Sequence, residues 1–383
     1  MADKVEIQQV KTRQDLEAFI RLPFQLYRND PNWVPPLLSE RRAFFDPKHN
    51  PFFDHATVTL WLARRNGQVV GRISAHIDHL YNEFHGEKIG AFGFLETIND
   101  YAVAEALLST ARDWVKSQGM TTLRGPLNFS TNHEVGLMIQ TTGRPPTIMM
   151  PYNALYYADF CDRFGLSKVV DAYAYLADLS QFHGDPSGLP RKIQRVAERM
   201  KEHAGLTARL PNMKDFDGEL RRLKVVYNRA WEKNWAFVPL TDAEIDSMAD
   251  DLRSVINPKL CVFVEAAGEP VGVSICLPDF NQVLKHLNGR LFPLGWLKAL
   301  WYMRRITHCR LLIMGVTEEY RGRGVEAVLI HETLKAALLN GFTSIEFSWI
   351  LETNEPMNRI VHNLGTEYGT HVHSTYRIYQ MSV

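Results

Sequence analysis

The sequence contains few cysteines and no cysteine motif. Its 383 residues include only four, and no two of them are separated by just two residues: Cys161, Cys261, Cys276 and Cys309. Zinc sites and dithiol redox centres are usually built from such closely spaced pairs. Scattered cysteines are typical of buried thiols in a reducing compartment. We therefore expect four free thiols and no metal site.

The sequence also lacks a net charge and long apolar runs. Lys and Arg total 43, and Asp and Glu also total 43, so the formal net charge is zero. Domains that bind nucleic acid are usually basic, so we expect no nucleic-acid partner. No apolar run approaches the roughly 20 residues of a transmembrane helix. The start, MADKVEIQQV, has no apolar secretory segment. These absences predict a cytoplasmic protein.

The chain is long enough for two domains. It has 383 residues, of which 45% are hydrophobic, and a typical domain has about 100–150 residues. An order of strand, helices, three strands, helix, strand, helix and strand runs through the first half and recurs in the second. Each half has a hairpin signal, at Asn66-Gly67 and at Gly268-Glu269. We predict an α/β fold, a mixed sheet flanked by helices, in two tandem domains, 1–180 and 181–383.

A glycine-rich turn in the second half is the most specific motif. An apolar run of strand length from Leu311 to Val316 precedes the turn Arg321-Gly322-Arg323-Gly324, and a stretch without helix breakers follows to Leu339. Glycines let a ligand approach the backbone, and the free N–H groups at the start of a helix bind anions. The arginines add positive charge where a phosphate would lie. The motif predicts a phosphate-binding turn.

This stretch resembles the acetyl-CoA-binding motif of the GCN5-related N-acetyltransferase superfamily. The family pattern at the turn is Arg or Gln, two residues, Gly, one residue, then Gly or Ala. Arg321 and Gly324 match it, whereas Glu326 stands at the last position. A carboxylate there suits the helix dipole but would repel a pyrophosphate. The first half lacks the basic glycine turn, so we expect a degenerate domain there and acyl-CoA binding in the second half.

The resemblance implies an N-acyltransferase that moves an acyl group from acetyl-CoA, or a longer acyl-CoA, to an amine. In the family an oxyanion donor lies on the central strand, here near Gly315 and Val316. Asn354 matches the family's last helix and is a catalytic candidate, whereas Val361 replaces the tyrosine that often protonates the leaving thiolate. The cofactor-binding residues implied are Gly315, Val316, Arg321, Gly322, Arg323, Gly324 and Asn354.

Candidate bases lie in both halves. The segment GPLNFSTNHEVG puts His133 beside Glu134, and these two are the first catalytic candidates. The alternative is a loop whose polar side chains cap their own backbone. If the halves face one another, this segment shares a cleft with the donor site of the second half. Glu346 and Glu352 are further candidate bases, although the strand pattern also fits a solvent-facing Glu346, and His373 is expected at the surface.

An aromatic insertion interrupts the second half. Residues 280–306 include LFPLGWLKALWYMRRIT, in which apolar and aromatic residues stand beside lysine and arginine. This composition suits a membrane interface, with residues 291–305 in contact with lipid and the protein peripheral to the inner membrane. A cap over an apolar substrate tunnel and a helix packed on the sheet are the alternatives.

The GPLNFS segment and the RGRG turn together look similar to a largely uncharacterised group of bacterial proteins with this fold, some associated with sphingolipid-type N-acylation. The resemblance implies a small-molecule or lipid amine, such as an amino alcohol, as the acceptor. Two alternatives stay open. One is a Fem-like transferase that uses aminoacyl-tRNA, against which the zero net charge weighs. The other is a non-catalytic ligand-binding protein on the same fold.

Overall fold

The computed structural model describes residues 4–231, 234–253 and 255–383. The strands, in chain order from β1 to β15, are Glu6–Gln9, Ala56–Arg65, Gln68–Asp78, Ile89–Thr97, Thr122–Gly125, Leu127–Asn128, Glu134–Val135, Leu137–Thr141, Ser167–Asp178, Leu206–Arg209, Cys261–Ala266, Glu269–Pro278, His308–Val316, Ser344–Leu351 and His371–Ser382. The helices, from α1 to α12, are Arg13–Leu26, Leu38–Phe44, His79–His85, Tyr101–Ser117, Tyr156–Arg163, Arg191–His203, Phe216–Trp231, Asp242–Arg253, Asn281–Leu284, Gly295–Met303, Val325–Leu339 and Glu355–Tyr368.

One mixed sheet of 13 strands runs through both halves of the chain. Its order is β1-β2-β3-β4-β5-β15-β9-β14-β13-β12-β11-β10, with β8 also paired to β15, while β6 and β7 form a separate pair. Neighbouring strands are parallel in two places, where β4 pairs with β5 and where β13 pairs with β14. The other pairs of strands are antiparallel. The predicted α/β class with a mixed sheet is confirmed.

The two halves exchange their last strands. Strand β9, from the first half, lies between β14 and β15, with Tyr175 opposite Phe347. Strand β15, from the second half, lies between β5 and β9, with Tyr379 opposite Gly125. Tyr379 is buried in the hydrophobic core beneath α4 of the first half. Because each half supplies a strand to the other, the sheet is continuous, and the division of the sequence near residue 180 stays a prediction.

Both predicted hairpins are present, and their turns have the backbone that their residues favour. Asn66 and Gly67 both have positive φ, 51° and 78°, between β2 and β3. Ala267 and Gly268 have φ of 50° and 86° between β11 and β12. Two consecutive residues with positive φ form the turn type that matches the twist of antiparallel strands. The second turn lies one residue earlier than predicted.

All four cysteines are buried, and none forms a disulfide. They lie in the hydrophobic cores beneath the helices, where their thiols behave as small apolar groups. Burial raises the pKa of Cys261 to about 12, which keeps this thiol protonated at neutral pH. The prediction of four free, buried thiols is confirmed.

Candidate active site

The sheet opens between β13 and β14. These two strands pair in parallel only from His308 to Leu311, opposite 344–347. Beyond that point β13 remains paired with β12, and β14 remains paired with β9. We call the space between 312–316 and 348–351 the split. Residues 312–315 are half-buried, although β13 is a central strand, so the edge of β13 that faces the split is open.

The backbone N–H of Val316 is directed into the split. Thr317 donates its N–H to the carbonyl of Val271, on the β12 side, at 2.9 Å. Successive N–H groups of a strand point to opposite edges, so the N–H and carbonyl of Val316 face the split. The carbonyl accepts a hydrogen bond from Nε of Arg321 at 3.3 Å. The N–H of Val316, rather than that of Gly315, is therefore the candidate oxyanion donor.

Gly315 is needed for packing rather than for its N–H. A Cβ atom at this position would lie 2.1 Å from the ring of Trp231, at the end of α7. No real Cβ atom approaches another heavy atom so closely. The glycine therefore lets Trp231 lie directly against β13, beside the split.

The glycine turn has the predicted backbone but directs its side chains differently. Gly322 and Gly324 have φ of 68° and 84°, the left-handed region that favours glycine. The guanidinium of Arg321 points inward, where it binds the carbonyls of Val316 and Ala230. Both arginines are exposed, but the guanidinium of Arg321 is already bonded to backbone carbonyls.

Glu326 occupies part of the anion-binding turn. Its carboxylate accepts a hydrogen bond from the N–H of Gly322 at 3.0 Å. Free N–H groups at this place would otherwise bind a phosphate. The departure of Glu326 from the family pattern therefore has a structural consequence, because a negative side chain already takes one of the turn's donors.

The equivalent opening in the first half is closed by the chain itself. Strands β4 and β5 are parallel over 89–91 and 122–124, and β6 then packs on β4. A Cβ at Gly93 would lie 2.0 Å from the carbonyl oxygen of Leu127. Asn128 accepts a hydrogen bond from the N–H of Phe94 at 2.7 Å. All nine residues of β4 are buried, in contrast to β13.

Glu134 and His133 differ in charge and in the hydrogen bonds that they already make. The oxygens of Glu134 bind Arg41 at 2.9 Å and Asn128 at 3.0 Å. Burial acts to raise the pKa of Glu134, but the charge of Arg41 and the hydrogen bonds from Asn128 and Arg41 together outweigh it, and the pKa lies below its ordinary value. Glu134 is therefore an ionised anchor with both oxygens engaged, and it is the poorer candidate base.

His133 lies in a more apolar environment. Its Nδ1 is 2.9 Å from the hydroxyl of Ser130, and the ring of Phe44 packs edge-on at a centroid distance of 5.3 Å. Burial lowers the pKa of His133 to about 4. The imidazole is therefore neutral at neutral pH, the form that can accept a proton.

Helix α7 joins this polar segment to the split. The hydroxyl of Tyr227 donates to the side-chain oxygen of Asn132 at 2.9 Å. The ring of Tyr227 stacks on Trp231 at 4.8 Å, one helical turn further on, and Trp231 lies against Gly315. The aromatic pair of Tyr227 and Trp231 thus stands between the segment next to His133 and the strand next to Val316.

No protein-family model matches the chain. It is 38% identical over 381 residues to the bacterial ceramide synthase of Caulobacter vibrioides (strain NA1000 / CB15N), which covers 98% of this chain and 96% of that protein. It is 35% identical over 377 residues to protein YghO of Escherichia coli (strain K12), and the match covers 97% of this chain and 94% of that protein. The chain belongs to the family of these two proteins.

Solved structures of tandem GCN5-related proteins share the fold of this chain. A tandem protein from the clavulanic acid biosynthesis pathway matches 99% of the chain and 98% of its own length with a TM-score of 0.59, at 13% identity. A GCN5-related N-acetyltransferase from Sphaerobacter thermophilus gives 0.55 at 14% identity, with 100% and 96% covered. The predicted fold, with two tandem N-acyltransferase-like domains, is confirmed.

Asn354 lies apart from the other candidates of this family member. It precedes α12 and accepts a hydrogen bond from the N–H of Met357 at 3.3 Å, so it caps that helix. Val361, on the same helix, is fully buried in the core, so an apolar side chain packs where the family resemblance implies a tyrosine. None of the contacts found among the described residues joins Asn354 to His133 or Val316.

The sequence interpretation of Glu346 as solvent-facing and of His373 as a surface residue is wrong. Glu346 is 1% exposed and His373 is 5% exposed. The Nε2 atom of His373 lies 2.8 Å from the Glu346 carboxylate, which also accepts from the hydroxyl of Thr147 at 2.7 Å. The guanidinium of Arg310 is 4.0 Å away. Glu346 lies on a central strand, where residues from other parts of the chain bury its side chain. The alternation of polar and apolar residues along the strand does not reveal this burial.

A small cavity lies between the halves, beside the polar segment. Its walls include His76, Arg124, Ser130 and Trp235, and its volume is about 30 Å³. Ligand pockets usually have volumes of about 300–1,000 Å³, so this cavity has room for water rather than for an acyl chain. Among the described residues, no group of three or more His, Cys, Asp or Glu side chains is placed to hold a metal ion.

Proposed function

We propose that this protein is an N-acyltransferase that moves a long acyl group from a CoA thioester to the amine of a long-chain amino alcohol. The family relationship to a bacterial ceramide synthase supports this, because ceramide is the fatty amide of such an amino alcohol. The tandem N-acetyltransferase fold supports the same reaction class. The observation that carries the proposal is the open split between β13 and β14, with the N–H of Val316 directed into it.

The split suits the thioester arm of an acyl-CoA. Its β13 wall offers backbone groups without a strand partner, to which an extended amide arm can bond as an added strand would. Leu312 and Ile313, on the same strand, are partly buried and pack against a core cluster that includes Val273, as do Ile148 and Met149. This cluster supplies an apolar wall for the acyl chain.

The reaction proceeds by addition and elimination. The amine attacks the thioester carbon, so a C–N bond forms while the carbonyl oxygen becomes an oxyanion that the N–H of Val316 stabilises. The neutral imidazole of His133 takes a proton from the attacking nitrogen. The intermediate collapses with cleavage of the C–S bond, and the CoA thiolate recovers one proton from the imidazolium. Amine and thioester thus become amide and thiol, and His133 returns to its neutral form.

An acyl-CoA ladder tests the proposed function. The purified protein is incubated with acetyl-, octanoyl- or palmitoyl-CoA and with either sphinganine or ethanolamine, and amides are measured by mass spectrometry. We expect amide with sphinganine and the longer donors, and a raised melting temperature with the donors that bind. Amide with ethanolamine and acetyl-CoA alone would replace the lipid acceptor with a small amine. No amide with any pair would contradict the proposed function.

One observation favours a second candidate, a binding protein without catalysis. The carboxylate of Glu326 accepts a hydrogen bond from the N–H of Gly322, in the turn to which the family resemblance assigns pyrophosphate binding. Val361 adds a second departure from the active pattern. A melting temperature raised by acyl-CoA, together with no amide from any acceptor, is the result expected for this candidate.

Replacing Glu326 with glutamine is expected to tighten binding of CoA about five-fold, because it removes about 1 kcal/mol of repulsion between a carboxylate and the pyrophosphate. Titration calorimetry with CoA measures the effect. Glu319→Gln is the matched control, since Glu319 is another acid close to the turn, and it is exposed. Equal changes in both variants would mean that only the net charge matters, and an unchanged Glu326→Gln variant would mean that pyrophosphate does not approach the turn.

A further inference from the structure

Helix α10 and the loop before it form an exposed apolar surface. None of the nine residues of the helix, Gly295–Met303, is buried. Phe292 is 75% exposed, Leu294 64% and Trp301 50%. The expectation of a helix packed on the sheet is therefore wrong. Exposed apolar patches of this kind mark sites of interaction with another surface. We call residues 291–305 the apolar arm.

The charges around the apolar arm all have one sign. Residues 280–309 contain no Asp or Glu, whereas they contain five lysines and arginines: Lys285, Arg290, Lys298, Arg304 and Arg305. The rest of the chain balances this excess, since the total formal charge is zero. An apolar surface flanked by cations complements anionic lipid headgroups, which attract each basic residue near the surface by about 1 kcal/mol.

The apolar arm is held against the body of the protein. The carbonyl of Gly289 accepts from the N–H of Leu38, in the first half, at 3.0 Å. The side chain of Asn281 donates to the carbonyl of Pro146 at 2.8 Å. Next to these anchors, the rings of His286 and Tyr302 stack at 3.7 Å. The arm therefore presents its apolar side chains from a fixed base.

A groove lies on the apolar arm. Its volume is about 390 Å³, and its walls are His286, Leu297, Lys298, Trp301 and Tyr302. The guanidinium of Arg305 lies 3.4 Å from the centre of the Trp301 ring. Apolar walls with a cationic rim suit an amphiphile with an anionic headgroup.

We propose that the apolar arm docks the protein on an anionic bilayer surface, with its aromatic and aliphatic side chains among the headgroups. Helices of this kind lie in the membrane plane, about 5–10 Å deep. No helix in the described part of the chain is long and apolar enough to cross a membrane, so the contact is peripheral. A bilayer accounts for both the apolar exposure and the uniform charge, whereas a second copy of this neutral chain accounts only for the first.

The arm leads directly into the strand that borders the split. His308 begins β13 five residues after Met303, and Leu312 begins the open part of the strand. Four residues of strand span about 13 Å, so the bilayer would lie close to the closed end of the split. This part of the inference rests on the proposed function, because it gives an acceptor that resides in the membrane a short route to the acyl-CoA.

Vesicle flotation tests the docking surface. The full chain is mixed with vesicles of phosphatidylglycerol or of phosphatidylcholine. We expect it to float with phosphatidylglycerol and to be released by salt. The variant Leu297→Ser/Leu300→Ser is expected to bind about ten- to a hundred-fold more weakly, and Lys298→Gln/Arg304→Gln/Arg305→Gln about a hundred-fold more weakly. Leu339→Ser is the matched control, since Leu339 is 62% exposed but lies at the end of α11, and it is expected to bind as the wild type does.

Three results would overturn the docking proposal. The first is that the wild type floats with neither lipid. The second is that the arm variants float as well as the wild type. The third is that the wild type binds no lipid but forms a dimer in solution, which the leucine variant converts to a monomer. The assay needs no substrate. If the wild type fails to float but acylates detergent-solubilised sphinganine, the docking proposal fails and the proposed function stands. If it floats but does not acylate, the proposed function fails and the docking proposal stands.

Discussion

Replacing His133 with alanine is expected to lower kcat by about 10²- to 10⁴-fold, the contribution typical of a positioned general base. The reason is that His133 is the neutral one of the two adjacent candidates, whereas Glu134 is ionised and has both oxygens engaged. The measurement is the rate of amide formation with saturating palmitoyl-CoA and sphinganine. His49→Ala is the control, because His49 is an exposed histidine elsewhere in the first half, and it is expected to keep full activity.

The pH profile distinguishes a base from a structural residue. Burial lowers the pKa of His133 to about 4, so the imidazole is neutral above about pH 5. The wild type is therefore expected to show no acidic limb near the ordinary histidine pKa of about 6.5. The loss in His133→Ala is expected to stay constant between about pH 6 and pH 9. A kcat within two-fold of the wild type would remove His133 from the mechanism.

Replacing Glu346 with alanine is expected to lower the free energy of unfolding by about 3–5 kcal/mol, the usual effect of removing one partner of a buried ion pair. The substitution leaves Arg310 and His373 buried without their carboxylate, which lies 4.0 Å and 2.8 Å from them. Urea unfolding at neutral pH measures the change. Glu352→Ala is the control, because Glu352 binds Lys168 near the surface, and such pairs contribute about 0–1 kcal/mol.

Acidification should act on the same carboxylate. Burial acts to raise the pKa of Glu346, but the hydrogen bond from His373 and the charge of Arg310 outweigh it, so the pKa in the folded protein is lowered. A lowered folded pKa contributes stability that is present above the unfolded value of about 4.3 and is lost as the pH falls through the folded value. The wild type is therefore expected to lose more stability than Glu346→Ala on acidification below about pH 4. Equal losses in the two proteins would contradict this assignment.

Local signals in the sequence predicted local features well. The Asn66-Gly67 turn and the backbone of Gly322 and Gly324 follow from residue types whose φ preference is intrinsic. The succession of strands and helices follows from apolar periodicity, whereas the tandem N-acetyltransferase fold is implied by the resemblance of the glycine turn to a family motif. These predictions succeed because each feature depends on residues that lie within a few positions of one another in the sequence.

Side-chain directions at the candidate site were less predictable. The RGRG turn suggested two phosphate-binding arginines, but Arg321 points inward because the carbonyls of Val316 and Ala230 lie within its reach. Ala230 belongs to a helix 91 residues earlier in the chain. Glu326 was recognised as a departure from the family pattern, but its bond to Gly322 follows only from the path of the turn.

The sequence alone therefore determined the class of fold, the glycine turn, the buried thiols and the position of the aromatic insertion, because each depends on composition or on neighbours within a few residues. Only the tertiary structure decided which opening of the sheet is free, which base is neutral and which charges are buried. Glu346 meets His373 across 27 residues and Thr147 across 199. The physical reason is that burial, which sets both pKa and access, depends on strands that the two halves exchange, and no local pattern encodes that exchange.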